Sequence, residues 1–164
     1  MTAGFLVRPG EGESVWSIGG RFTRKAGGDD SAGRLSILEA VVTRTSEPRR
    51  HIHHREDEAF YVLDGQLSFH VGDAVLTAVA GSLAFAPMGI PHTFTVDIEP
   101  SRILVITSPS GFEGFVFDLG VPATSDEPPA GLSLPAPEVI RPVAERYGIE
   151  IVGPTIRAAE APPT

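Results

Sequence analysis

From Arg34 to Ser108 the chain is interrupted by a turn signal every eight to twelve residues, and this spacing limits its fold more than any other feature. The breaks fall at Glu47-Pro48, Asp64-Gly65, Gly72-Asp73, Ala80-Gly81, Met88-Gly89 and Glu99-Pro100. Between them lie short apolar runs: Leu35–Thr43, Glu58–Leu63, Leu67–Val71, Ala74–Val79, Ser82–Ala86, His92–Val96 and Arg102–Thr107. None leaves room for a helix of ordinary length, and many are rich in β-branched or aromatic residues. Evenly spaced short strands of this kind build a sandwich or barrel. The 18 glycines and 15 prolines supply the punctuation and argue against a helical bundle.

The flanks have a different texture. Residues 1–33 form a Gly-rich, polar arm with strand-like pieces at Phe5–Val7, Val15–Ile18 and Arg21–Arg24. Gly111–Leu119 carries three phenylalanines, Phe112, Phe115 and Phe117, and suits a short helix or a cap over a barrel mouth. Residues 122–137 hold five prolines and read as an extended strap. Glu138–Tyr147 has the pattern of a helix that Pro142 keeps short or kinks, and Gly153–Thr164 reads as a frayed end. The expected organisation is an arm (1–33), a β-barrel (34–108) and an extension with strap and short helix (109–164). At 164 residues the chain has room for one core.

Charge and cysteine content narrow the chemistry. Thirteen basic residues against 21 acidic ones give a net charge of −8, which repels nucleic acid and anionic lipid. No apolar run approaches the ~20 residues of a membrane helix. Met1–Ser17 lacks the basic and apolar regions of a signal peptide, so a cytosolic protein is expected. Without cysteine there is no thiolate site, and any metal must be held by His, Asp or Glu.

Only five histidines are present, and three keep ligand-like company. His51 and His53 are spaced i, i+2, so on a strand they share a face. After a short turn Glu58 opens the next strand, whose same-face residues Phe60 and Val62 line a core. His92 begins a strand shared with Phe94 and Val96. Three imidazoles and a carboxylate on apolar faces are costly to bury unpaired, and a divalent ion gives them a use. By parity His54 faces away, suited to the rim of the site or to contact with a ligand residue, and His70 faces solvent. Glu56 and Asp57 read as solvated turn charges, with orientation of a ligand imidazole the lesser alternative. Arg49, Arg50 and Arg55 surround the acidic turn and either steer an anionic substrate or form surface pairs. Trp16 suits an interface or a pocket wall equally.

These residues resemble the cupin superfamily. The first cupin motif, His-x-His, three or four residues, Glu, six residues, Gly, is matched by His51, His53, Glu58 and Gly65. The second, Gly, five residues, Pro-x-Gly, two residues, His, is matched by Gly81, Pro87, Gly89 and His92. Two positions depart from it: Thr45 stands where Gly is usual and Val96 where Asn is usual. Neither is a ligand position. The resemblance implies an all-β cupin jelly-roll barrel (double-stranded β-helix) with a short helical C-terminal extension. It also implies one divalent transition metal per chain, of the set Fe, Mn, Ni, Co, Cu or Zn, held by His51, His53, Glu58 and His92. A pocket above the metal would draw on Phe60, Phe85, Phe94 and Leu104.

Four protein ligands leave an octahedral ion two open positions, the mark of a catalytic site. Glu58 would serve also as general base. The phrase from His51 to Gly65, closed by Pro87 to Phe94, is similar to bacterial quercetin 2,3-dioxygenase-type cupins. The leading expectation is therefore a dioxygenase using O₂ on a phenolic or enolisable, flavonol-like small molecule. A non-oxidative metallo-isomerase or epimerase and a non-catalytic binding cupin are the alternatives. No nucleic-acid or membrane partner is expected. A homodimer is, with arm strands covering exposed sheet edges.

Overall fold

The computed structural model describes residues 3–161. Ten strands and four helices follow in order: β1 (Ser14–Ser17), β2 (Gly20–Ala26), α1 (Gly28–Ser31), β3 (Ser36–Val42), β4 (His51–His53), β5 (Asp57–Val71), β6 (Ala74–Val79), β7 (Leu83–Ala86), β8 (His92–Ser108), α2 (Phe112–Asp118), β9 (Val121–Pro122), α3 (Pro137–Arg146), β10 (Ile149–Ile151) and α4 (Ile156–Glu160). All strand pairing is antiparallel, in the order β10-β4-β8-β3-β2-β1-β9, with β5 paired to β6, β7 and β8. This is an all-β jelly roll with short helices on its C-terminal side.

Two long strands organise the barrel. Strand β5 passes through Asp64-Gly65 and β8 passes through Glu99-Pro100, so four expected strands are two continuous ones. The turn residues are spent on bulges instead. Register between β5 and β8 shifts between Val62 and Leu67, and inward parity changes with it. Phe60 and Val62 face in before the bulge, Leu67 and Phe69 after it; on β8, Phe94 and Val96 give way to Ile103 and Val105. An extra residue in one strand has this effect on every side chain beyond it. Gly65 sits at the bulge with φ +87° and its Cα against the Ser101 side chain, a place with no room for a Cβ.

The parity change corrects one expected pocket residue, and cross-strand register corrects another. Leu104 lies on the outer side of β8, because the bulge turns Ile103 and Val105 inward. Phe85 is 49% exposed, because β7 pairs Glu58 with Ala86 and Phe60 with Ala84, turning the alanines in and the phenylalanine out. Phe60 and Phe94 are buried and stack with Phe69 in the core.

Residues 14–26 continue this chain's own sheet through β2 and β3, while Phe5–Val7 forms no strand and leaves Phe5 and Leu6 exposed. The extension turns back over the barrel. Phe112, Phe115 and Val116 of α2 and Ile140 and Ala144 of α3 join the core, and β10 pairs with β4. The expected frayed end contains α4, capped by Thr155 and held by Arg157 Nε on the buried Glu47 carboxylate at 2.8 and 2.9 Å. Glu47 also accepts the Val96 N–H, so a buried carboxylate paired with the half-exposed Arg157 ties α4 to β8. Among the described residues no helix is long and apolar enough to cross a membrane.

Candidate metal centre

Four side chains converge inside the barrel from three strands. His51 and His53 project from β4, and His51 is the direct cross-strand partner of His92 at the start of β8. Glu58 reaches them from β5. One ligand atom from each of His51, His53, Glu58 and His92 lies within 4.8 Å of the others. The imidazole centroids are 4.4 Å apart for His51–His92, 5.1 Å for His51–His53 and 5.3 Å for His53–His92. His53, Glu58 and His92 are buried to within a few per cent.

The sequence folds this way because neighbouring backbone holds the two motifs together. The Gly89 N–H donates to the His53 carbonyl at 2.9 Å, and the Met88 N–H to Asp57 Oδ1 at 2.8 Å. The Pro87–Gly89 turn thereby binds the strand of one motif to the turn of the other. Gly89 has φ +80°, the left-handed conformation that glycine tolerates.

The tautomers follow from the acceptors. His51 Nδ1 donates to the Arg49 carbonyl at 2.7 Å, His92 Nδ1 to the Ile90 carbonyl at 2.9 Å and His53 Nδ1 to Glu56 Oε1 at 2.8 Å. A carbonyl or carboxylate can only accept, so each Nδ1 carries a proton and each Nε2 is turned toward the cluster. His92 Nε2 donates to Glu58 Oε2 at 2.9 Å, an ionic pair inside the barrel. His53 Nε2 is buried and has no hydrogen-bond partner among the described residues; the same Glu58 oxygen lies 3.5 Å away.

Electrostatics follow this geometry. Burial pushes the Glu58 carboxyl up, but His53, the hydrogen bond and charge of His92, and His51 together outweigh it and hold Glu58 down at about 2. Burial lowers His51 to about 3, reinforced by the neighbouring imidazoles. Burial works against charge on His92 too, yet its contact with Glu58 raises it above the ordinary histidine value. A buried imidazole nitrogen with a free lone pair, two further Nε2 atoms and an ionised carboxylate are a fitting donor set for a divalent transition ion. His92 is the one ligand that must lose its Nε2 proton to join.

A narrow cavity of about 60 Å³ opens from Glu58 and His51. Phe60 and Phe94 form its barrel wall, with Ile103 and Val105 where Leu104 was expected; Phe85 is not part of it. The opposite wall comes from the extension: Phe112 and Phe115, Leu134 of the strap, Ile140 and Ala144 of α3, and Ile149 and Ile151 of β10. Phe112 packs its ring 5.4 Å from that of His53. The phenylalanine cluster at Gly111–Leu119 is thus a wall of the cavity, while the isoleucines carried no readable sign of it.

Other candidate residues fall on either side of the site. Glu56 is 2% exposed, so its reading as a solvated charge is corrected: the turn curls back and places it under His53. Asp57 is exposed. His54 points outward to Glu150 at 2.8 Å and touches no ligand residue, which corrects its expected place at the rim. Arg49 lines the cavity and donates to the Pro135 carbonyl; Arg50 and Arg55 donate to the carbonyls of Gly72 and Arg146. Trp16 is half-buried beneath the Arg21 guanidinium, away from the cavity.

Comparison with known proteins agrees with the architecture. The cupin domain family matches residues 38–107, the span from β3 to the end of β8. An uncharacterized protein of Streptomyces coelicolor is 32% identical over 75 residues, covering 46% of this chain and 67% of its own length. Among solved structures, a predicted oxalate decarboxylase from Thermotoga maritima superposes with a TM-score of 0.58 at 19% identity, over 64% of this chain and 99% of that one. The polyketide cyclase RemF from Streptomyces resistomycificus does so with a TM-score of 0.55 at 22% identity, over 66% and 81%. At these identities the structural likeness shows the fold.

Proposed function

The chain belongs to the cupin superfamily, and from that membership we propose that it is a mononuclear divalent-metal enzyme, a dioxygenase acting on a compact phenolic or enolisable molecule. The orphaned Nε2 of His53 carries this reading, because it is a buried lone pair directed at two other imidazoles and an ionised carboxylate. A divalent transition ion held by His51, His53, Glu58 and His92 would supply Lewis acidity toward a substrate oxygen and, where redox-active, electron transfer to O₂. The protein's own contribution is a base and a dry surrounding. Glu58 is the carboxylate that faces the cavity, and its oxygen is the acceptor for the proton of a substrate hydroxyl or activated C–H. Phe60, Phe94, Phe112 and Phe115 exclude water from that proton transfer and offer few polar contacts to a sugar or phosphate.

Cavity size refines the substrate class. About 60 Å³ is the share of roughly two waters, so even a single ring needs the wall from α2 and α3 to give way, and a flavonol needs it to open much further. Monocyclic catechols and enols therefore come first in the trial.

The test is elemental analysis of the purified protein together with oxygen-electrode traces over such a panel, extended to flavonols. About one Fe, Mn, Co, Ni or Cu per chain with substrate-dependent oxygen uptake supports the dioxygenase. Turnover without uptake moves the reading to a proton-transferring isomerase, and metal without any turnover to a binding cupin. Glu58→Gln is expected to lose at least 100-fold in turnover while still folding. A homodimer is proposed as the state in which the protein works; a single-chain mass by light scattering at micromolar concentration overturns it.

A further inference from the structure

Two of the three ligand imidazoles are steadied by backbone carbonyls, whereas His53 is steadied by a carboxylate. The exception is costly on its face. Glu56 is buried to 2% and lies 2.8 Å from His53 Nδ1, and a buried carboxylate without compensating charge is strongly unfavourable. A neutral acceptor would hold the ring equally well, as Arg49 and Ile90 do for the other two.

Charge supplies the reason. With three neutral imidazoles and Glu58 as the one anionic ligand, a divalent ion leaves the buried centre at one net positive charge. The cavity wall beside it is apolar except for Arg49, itself a cation, and offers nothing to offset that charge. No other charged group nearby supplies a counter-charge. Glu47 is bound by Arg157, and Arg49 and Arg50 are half-buried cations that donate to carbonyls. Glu56 is the one further buried carboxylate in contact with a ligand among the described residues.

We propose that Glu56 is a positioning residue and the second counter-charge of the centre: it fixes the His53 ring through Nδ1 and, with Glu58, balances the two charges of a divalent ion held by neutral imidazoles. The inference rests on the metal-site reading above. It makes the site selective in two ways. Dications are preferred, and an incoming ligand is favoured in its neutral, protonated form, to be deprotonated by Glu58 after it binds. Small anions gain no attraction from such a centre.

The experiment compares wild type with Glu56→Gln and Glu56→Ala, using Co²⁺ affinity by chelator competition and azide binding read from the visible spectrum of the Co²⁺-loaded protein. The Gln variant keeps an acceptor for Nδ1 and removes only the charge. It is expected to bind Co²⁺ about 10–100-fold more weakly, yet to bind azide more tightly than wild type, because one positive charge is then uncovered. A merely structural Glu56 would leave azide affinity unmoved. Co²⁺ affinity within threefold of wild type together with unchanged azide affinity in Glu56→Gln overturns the proposal. If neither variant folds, the wild type decides: micromolar azide binding to its Co²⁺ form contradicts a neutral centre, and azide binding only at millimolar levels or above upholds it. Wild type that takes up no metal at all ends the metal-site reading and this one with it. Metal uptake by wild type with an indifferent Glu56→Gln ends this one alone.

Discussion

His92 donates its Nε2 proton to Glu58 at 2.9 Å. His92 is raised above its ordinary value and Glu58 is held at about 2, so between those two values the proton they share belongs to the imidazole. Metal uptake must release it. The sign is fixed: below the raised value of His92, each unit of falling pH is expected to weaken metal affinity about tenfold, and above it the dependence should flatten. Chelator competition between pH 6 and 9 reads this slope, and a pH-independent affinity would mean that metal does not displace the proton. The ligand set itself was legible because its spacing is rigid: two histidines two apart share a strand face whatever the rest of the chain does. Glu56 was not legible in the same way. Its burial depends on how the turn after His53 closes, and alternation along a strand says nothing about a turn.

At the scale of elements, the sequence located strands better than it located their faces. The breaks at Asp64-Gly65 and Glu99-Pro100 were visible, but a turn signal inside a long strand looks the same as one between two strands. Leu104 has the parity of Phe94, and the bulge between them reverses its face. Phe85 is an expected pocket residue that the register with β5 turns outward, placing the small Ala84 and Ala86 beside Phe60 and Glu58. Helix α4 was hidden for another reason: five residues have little propensity of their own, and a tertiary contact secures them. That contact can be tested. Arg157→Ala leaves the buried Glu47 carboxylate with the Val96 N–H but without its cation. The expected cost is about 1–3 kcal/mol, toward the lower end because Arg157 is half exposed. Urea unfolding measures it, and adding Glu47→Gln to Arg157→Ala should recover part of the loss. No recovery would assign the cost to packing of α4 rather than to the stranded carboxylate.

Across the whole molecule the candidate centre draws its residues from three strands that the sheet and the Pro87–Gly89 turn already hold together. Glu58 stands near the start of β5 and His92 at the start of β8, the two strands that run the length of the barrel, while β4 carries the other ligands and accepts β10 from the extension. Residues 149–151 pair with 51–53, so ordering of the metal strand also orders the segment that leads from α3 and its cavity wall. A ligand that binds only the folded chain stabilises it by about 2.7 kcal/mol at 100 times its Kd. For a chain of this size that corresponds to a rise in Tm of roughly 5–10 °C. The rise should appear as one cooperative transition, because the residues that would hold the ion come from β4, β5 and β8, which pair within one sheet together with β10 of the extension. His92→Ala removes one ligand and the Glu58 pair together, and its melting temperature should no longer respond to the metal. Differential scanning calorimetry with and without Co²⁺ separates the cases. An equal rise in His92→Ala would mean that the stabilising ion sits elsewhere. A rise confined to one of two resolved transitions would mean that the extension folds independently of the barrel it closes.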